Sequence, residues 1–388
     1  MSRYNDMLHL LPQQSQIIHY EYFLDLFPEL VPLKTTPQDA YYHAEGDVWT
    51  HTKMVCDAII QSNDYQKASE NDRFILFYSC LFHDISKPLC TRYEDNGRIT
   101  SKGHSGKGCI DTRILLWKEN VPFEIRESIC NIINNHQVPF FVFNHSYKEP
   151  QYLIHELSLQ APLHLLMPVA QADMQGRFFV EKQKSLDDIA LAIELALEEN
   201  CFYQAKSFPD SITKMKYFQS EGKIDPSFPF YDETKSQVIV LSGLPASGKN
   251  TWVTQNNPEN LPVLSFDDAK AHLGLQENDN VGKAVHMVID EAKNLLRQEK
   301  NFIWNATHLS KQMRQKTIDL LLNYKAEVHI VYLEASEDEI KKRNSQRDTT
   351  LTNKKIDEML LKWEIPTSLE SHHLSYHIQK KNTKQFKF

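Results

Sequence analysis

The stretch that most restricts this chain's fold is residues 237–251, QVIVLSGLPASGKNT. Residues 238–241 are a short apolar run of the length a buried parallel strand needs. The loop GLPASG, residues 243–248, follows at once and Lys249 closes it. That order reads as strand, tight loop and helix start, with backbone N–H groups and a lysine turned toward phosphate oxygens. Gly248 lets the backbone come close to a phosphate, and the helix N-terminus adds partial positive charge. The hydroxyl residue that ordinarily follows the lysine is replaced by Asn250, and Thr251 supplies a hydroxyl one position later. The segment therefore predicts a nucleotide phosphate site formed by Gly243, Ser247, Gly248, Lys249, Asn250 and Thr251.

A chain of 388 residues exceeds one ordinary core and predicts two domains. With 41% hydrophobic and 24% charged residues, its composition is that of a globular protein. No apolar run approaches the roughly 18 residues of a membrane helix, and the first residues lack the pattern of a signal peptide. Cysteines 56, 80, 90, 109, 130 and 201 form no C-x-x-C pair and read as reduced thiols. A cytoplasmic protein without membrane partners is expected. The net charge of −8 is carried by the part before Ser236, the remainder being slightly basic, and charge alone identifies no partner.

Most of residues 1–204 reads as helix. Asp47 is a candidate N-cap for a helix that places Val48, His51, Val55 and Ile59 on one face. Residues 71–85 form a second helical stretch, apolar through Phe74, Ile75, Tyr78, Leu81 and Phe82, ending in His83-Asp84 and stopped by Pro88. Further helices are expected near 108–118, 122–135, 162–178 and 186–200. Six residues at helix ends or on otherwise apolar faces carry the chemistry: His51, His83, Asp84, His104, His136 and Asp173. Imidazole mixed with carboxylate suits divalent transition metals better than calcium. Two such ions close together lower the pKa of a bridging water and clamp a phosphate oxygen.

The order of an upstream His, a His-Asp pair and a late Asp in helical context resembles the HD phosphohydrolase superfamily. The resemblance implies an all-helical, metal-dependent phosphoesterase with His51, His83, Asp84 and Asp173 as the first metal set. It also implies His104 and His136 as the extra histidines of a binuclear site. Lys87, one turn after Asp84, and Arg177, four residues after Asp173, are candidates for holding substrate phosphate. Residues 205–235 lose periodicity but keep many aromatics, which reads as a packed connector.

From residue 236 onward, strands alternate with helices. Strands are expected at the loop's own run, in PVLSF (262–266), in FIW (302–304) and at 328–333, with helices between them. This predicts an α/β domain with a parallel sheet and ligands at the strands' carboxyl ends. Asp267 and Thr307 fall at such ends. Ser336-Glu-Asp-Glu339 is a capping box that opens a helix carrying Arg343 and Arg347 four residues apart.

The segments GLPASGKNTW, SFDDAK, NATHL and KKRNSQR resemble polynucleotide 5′-kinases of the phage type. The resemblance implies Asp267 as general base, Arg343 and Arg347 as lid arginines on the ATP phosphates, and Thr307 near the acceptor. Lys270 stands where that family has an acceptor-binding arginine, keeping the charge without the bidentate fork. ATP with Mg2+ is the implied cofactor pair, together with one or two divalent transition-metal ions in the front half.

The whole chain resembles bacterial HD phosphoesterase/polynucleotide kinase fusions: 1–204 phosphoesterase, 205–235 connector, 236–388 kinase. That implies healing of RNA or DNA ends, by removal of a 3′-phosphate, 2′-phosphate or 2′,3′-cyclic phosphate and phosphorylation of a 5′-hydroxyl, ahead of a separate ligase. Two other readings stay open: a nucleoside or small-metabolite kinase fused to an HD nucleotide phosphohydrolase, and a nucleotide-sensing, nucleic-acid-binding protein with an impaired P-loop. A homodimer is allowed, and the sequence does not choose between RNA and DNA.

Overall fold

The computed structural model describes residues 3–13, 16–144, 148–275, 282–346 and 351–379. The chain divides into two units, Met1–Ser207 and Phe208–Phe388.

The first unit is a helical assembly with one short antiparallel ribbon, Arg92–Tyr93 with Ile99–Thr100. Its central helices are Val48–Gln61, Glu70–Phe82, His104–Lys118, Phe123–Asn135 and Leu163–Gln175. Local chemistry sets their starts. Asp47 accepts a hydrogen bond from the Thr50 N–H at 2.9 Å, and Ser69 accepts one from Asp72. Each satisfies an N–H that the helix leaves open. Val55, Ile59, Phe74, Phe77, Leu81, Ile129, Ile132, Leu166 and Val169 are among the fully buried side chains of one core. Burial of each is worth about 1.5–3 kcal/mol. The helix expected over residues 71–85 ends at Phe82, and Pro88 stops nothing; it lies in the first turn of a separate short helix, Lys87–Cys90, where its missing N–H costs nothing.

Gly176 permits a close helix approach in this unit. A Cβ there would lie 2.7 Å from Val55 Cγ2 and 2.9 Å from Val55 N. Only glycine lets the end of Leu163–Gln175, carrying Asp173, lie against the helix carrying His51.

The second unit contains a five-stranded parallel sheet: β1 (Ser236–Ser242), β2 (Val263–Ser265), β3 (Phe302–Asn305), β4 (Ala326–Glu334) and β5 (His373–Ile378), in the order β2-β3-β1-β4-β5. Four of these are the strands expected from the sequence. The fifth, HLSYHI, alternates polar residues in a half-exposed edge position and carries no apolar run. Within the segment read as connector, Ser211–Gln219 forms a helix capped by Asp210. Lys214 of that helix donates to the carbonyls of Ser371 and His372, just before β5.

Arg314, on the helix Lys311–Asn323, is buried within this unit. It is bidentate to Glu370, at 2.6 and 3.0 Å, and donates to the carbonyls of His308, Leu309 and Glu364. A buried ion pair stays favourable only while both partners are present. Arg314→Met should therefore destabilise the second unit by about 3–5 kcal/mol. Hydrogen exchange of β1 and β4 amides is the check, and protection unchanged from wild type would contradict the account. Among the described residues, no helix is long and apolar enough to cross a membrane.

Candidate functional site

Four histidines and two aspartates of the first unit meet in one buried cluster. His51 lies one turn into its helix, His83 and His136 directly follow theirs, and His104 begins its own. Asp84 follows His83, and Asp173 occupies the last turn of Leu163–Gln175. All six are at most 6% exposed. Ligand atoms of His51, His83 and Asp173 lie within 4.8 Å of one another, as do those of Asp84, His104 and His136.

Three imidazoles are oriented in the same way. The Nδ1 of His83, His104 and His136 lies 2.7 Å from the carbonyl three residues earlier, at Cys80, Ser101 and Ile133. A carbonyl only accepts, so Nδ1 carries a proton and each Nε2 is turned into the cluster. There, His83 Nε2 stands 3.1 Å from Asp84 Oδ2 and 3.3 Å from His51 Nε2. His104 Nε2 stands 3.2 Å from Asp84 Oδ1. His136 Nε2 has no hydrogen-bond partner, and Asp84 faces His83 and His104 while the Lys87 ammonium stands 2.7 Å from its Oδ2. Imidazole nitrogens and carboxylate oxygens this close in a buried space need a proton or a cation between them. The donor set of imidazole and carboxylate fits a divalent transition metal.

The charges support one another. Burial opposes ionisation of Asp84, yet the His83 imidazole and the Lys87 ammonium outweigh it and hold the carboxyl well below its usual range. Asp173 is likewise held down against burial by Arg177 and His51. Burial pushes His136 down to about 3, which keeps the ring neutral.

Both basic residues singled out in the sequence pair with these carboxylates. Lys87 Nζ lies 2.7 Å from Asp84 and donates to Gln38, while Arg177 grips both oxygens of Asp173 at 2.7–3.0 Å.

His43 and Glu45, which lie outside the helical periodicity, complete the surroundings. Glu45 Oε1 lies 3.1 Å from His51 Nδ1 and 2.7 Å from His43 Nδ1, and Oε2 accepts from the Phe178 N–H. Its side chain is fully buried. The available signal was His43-x-Glu45 just ahead of the Asp47 cap.

In the second unit, the P-loop joins β1 to the helix Lys249–Asn256. Gly243 has φ +149°, and a Cβ there would lie 2.3 Å from the Leu333 carbonyl oxygen. Gly248, at φ +105°, is the N-cap. Lys249 Nζ donates to the carbonyls of Gly243 and Leu244. Ser247 Oγ is buried and unpartnered. Asn250 accepts from the Asn305 side chain at 2.8 Å, so the residue in the usual hydroxyl position ties the loop's helix to β3. Thr251 is exposed.

Arg343 lies over the loop, with Nη1 3.4 Å from the Ala246 carbonyl, and its other contacts are Glu339 and Gln379. Thr307 follows β3, and its carbonyl accepts from the Gly243 N–H. Asp267 is exposed in the first turn of Phe266–His272, which Ser265 caps. Lys270 sits on the same helix with its ammonium 5.7 Å from the Phe266 ring. Arg347 lies outside the described residues. Because no side chain fits at position 243, Gly243→Ala should abolish binding of a fluorescent ATP analogue, whereas binding at wild-type strength would contradict this geometry.

Residues 238–366 match the family described as AAA_33, AAA domain. The chain is 26% identical over 113 residues to the multifunctional CCA protein of Pasteurella multocida (strain Pm70), an alignment covering 29% of this chain and 26% of that protein. The chain thus spans about a quarter of that relative's length. A solved structure from Chloroflexus aurantiacus j-10-fl, provisionally called a kinase, has 19% identity and a TM-score of 0.33, covering 37% of this chain and 89% of its own. Chaetomium thermophilum Kti12 in complex with ADP-AlF3 has 13% identity and a TM-score of 0.27, with coverages of 38% and 91%. The family match and the loop geometry agree: a helical unit precedes a P-loop domain with a parallel sheet, whose loop is shaped to hold nucleotide phosphate.

Proposed function

We propose that this chain heals the ends of broken nucleic acid. The helical unit acts as an HD-type phosphoesterase that removes a 3′-phosphate, 2′-phosphate or 2′,3′-cyclic phosphate. The P-loop unit transfers the γ-phosphate of ATP to a 5′-hydroxyl of RNA or DNA, and a separate ligase joins the resulting ends. The observation that carries this reading is the presence, in one chain, of a P-loop and a buried convergence of four imidazoles and two carboxylates suited to metal.

In the phosphoesterase, His51, His83 and Asp173 would hold one divalent ion and Asp84, His104 and His136 a second. Bound there, such ions supply an activated water and a clamp for phosphate oxygens. Asp84 belongs between the sets, since its two oxygens face His83 and His104. Lys87 and Arg177 hold the ligand carboxylates in place, and a phosphate at the cluster would share their charge.

In the kinase, the P-loop N–H groups and Lys249 hold the donor phosphates. Asp267 accepts the proton as the 5′-hydroxyl oxygen takes the phosphoryl group and ADP leaves. Lys270 and Thr307 bind the acceptor end. Arg343, with Arg347, neutralises charge on the transferring group.

Two separable activities are expected. Asp267→Ala should abolish 5′-labelling of a 5′-hydroxyl oligonucleotide from γ-labelled ATP while leaving 3′-phosphate release intact, and Asp84→Ala should do the reverse. Labelling of a free nucleoside but of no oligonucleotide would sink the polynucleotide assignment.

Glu45 gives a second test, because a carboxylate on the far nitrogen of a ligating imidazole fixes its orientation and raises its basicity. Cobalt(II) titration of Glu45→Gln should show metal affinity reduced by about 10- to 100-fold. An affinity equal to wild type would remove Glu45 from that role.

A further inference from the structure

We propose that Tyr41, Tyr42, Arg98, Phe178 and Phe179 form a stacking platform for the terminal nucleotides of a single-stranded nucleic acid, at the rim of the His/Asp cluster. The proposal rests on the phosphoesterase reading and names how that site would take hold of its substrate.

The side chains of Tyr41, Tyr42, Arg98 and Phe179 form one continuous patch, and Phe178 precedes Phe179 in the chain. Tyr41 and Tyr42 stand edge to face, 4.9 Å between centroids, and both contact the Phe179 ring at 5.6 and 5.2 Å. The Arg98 guanidinium lies over both tyrosines, 5.4 and 5.3 Å from their centroids. Asp39 fixes this arrangement, accepting from Arg98 Nε and from the N–H groups of Ile99 and Tyr41. The patch is thus preformed, and little side-chain freedom is lost when something binds to it.

Its faces are nonetheless open to solvent. Tyr41 is 51% exposed, Tyr42 43% and Phe178 59%. Aromatic side chains normally contribute by burial, so two exposed tyrosines in contact, with an exposed Phe178 next in the chain to the Phe179 they touch, mark an interaction surface.

Its position points to the occupant. Tyr42 adjoins His43, and Phe178 adjoins the Arg177 that grips Asp173. Glu45 joins the two segments, contacting His51 with one oxygen and the Phe178 N–H with the other, while the Ala44 N–H donates to the Phe178 carbonyl. A substrate whose phosphate reached the cluster would lay its neighbouring groups on these rings. Nucleobases suit the surface, because stacking on aromatic and guanidinium planes accepts any base. The acidic excess of this part of the chain disfavours tracking of a long phosphate backbone and favours a short contact made by stacking.

The test uses the full chain and a short single-stranded oligonucleotide carrying a 3′-phosphate and 5-iodouridine at its terminal positions. Irradiation followed by peptide mass spectrometry should place the adduct on Tyr41, Tyr42 or Phe178. The double variant Tyr42→Ala/Phe178→Ala should lose the adduct and raise KM for that oligonucleotide about tenfold or more. Its hydrolysis of p-nitrophenyl phosphate should stay within about twofold of wild type, since that small substrate needs only the cluster. Adducts confined to other residues, an unchanged KM, or equal loss on both substrates would overturn the proposal. So would a wild-type dimer that the double variant dissociates, because a second copy would then be the occupant. If wild type hydrolyses neither substrate while the adduct still maps to the patch, the platform stands and the phosphoesterase reading falls.

Discussion

Two buried carboxylates constrain the whole helical unit. Asp84 and Asp173 are about 1% exposed or less, and an isolated charge at such a depth is strongly disfavoured. Lys87 and Arg177 neutralise them from one helical turn away, and four imidazoles crowd their remaining oxygens. The compensation works only if five chain segments meet at one place. Much of the apolar core serves that end: Val55 packs on Gly176, and the Ile129 and Ile132 side chains anchor the helix that ends at His136. The hydrophobic contacts stabilise the unit, and the charges dictate which helix ends must converge.

The second unit obeys a different constraint, the close approach of backbone to backbone. Gly243 passes so near the Leu333 carbonyl that a side chain is excluded, and its N–H bonds to Thr307. The loop is thereby held between β4 and the end of β3, with its N–H groups already gathered at a helix start. A phosphate site built this way loses little entropy on binding. The Asn250–Asn305 contact extends the logic, since it replaces a metal-directed hydroxyl with a strut to the neighbouring strand.

Much of this was legible in the residues themselves. The strand, loop and lysine order marked the P-loop, and Asp47 marked its helix start through ordinary capping chemistry. The six His and Asp residues could be listed from their positions at helix ends, and the fold brings all of them together. Other features left no local trace. Glu45 acts on a histidine six residues on through an irregular turn, with no periodicity to expose it. β5 is an edge strand of alternating polar residues, and Arg314 looks like any helical arginine until Glu370, 56 residues away, meets it. Lys87 and Arg177 had the right spacing for their neighbouring carboxylates, yet spacing alone could not separate carboxylate pairing from phosphate binding.

On the proposed reading, one chain repairs both sides of a break. The most direct measurement incubates the purified protein with ATP, Mg2+, a divalent transition metal and a nicked duplex bearing a 3′-phosphate and a 5′-hydroxyl, then adds a ligase that needs 3′-hydroxyl and 5′-phosphate ends. The account predicts sealed product that requires this protein and is lost when either ATP or the transition metal is withheld during the first step. Ends left unsealed by the ligase, with one or both termini chemically unchanged, would contradict it.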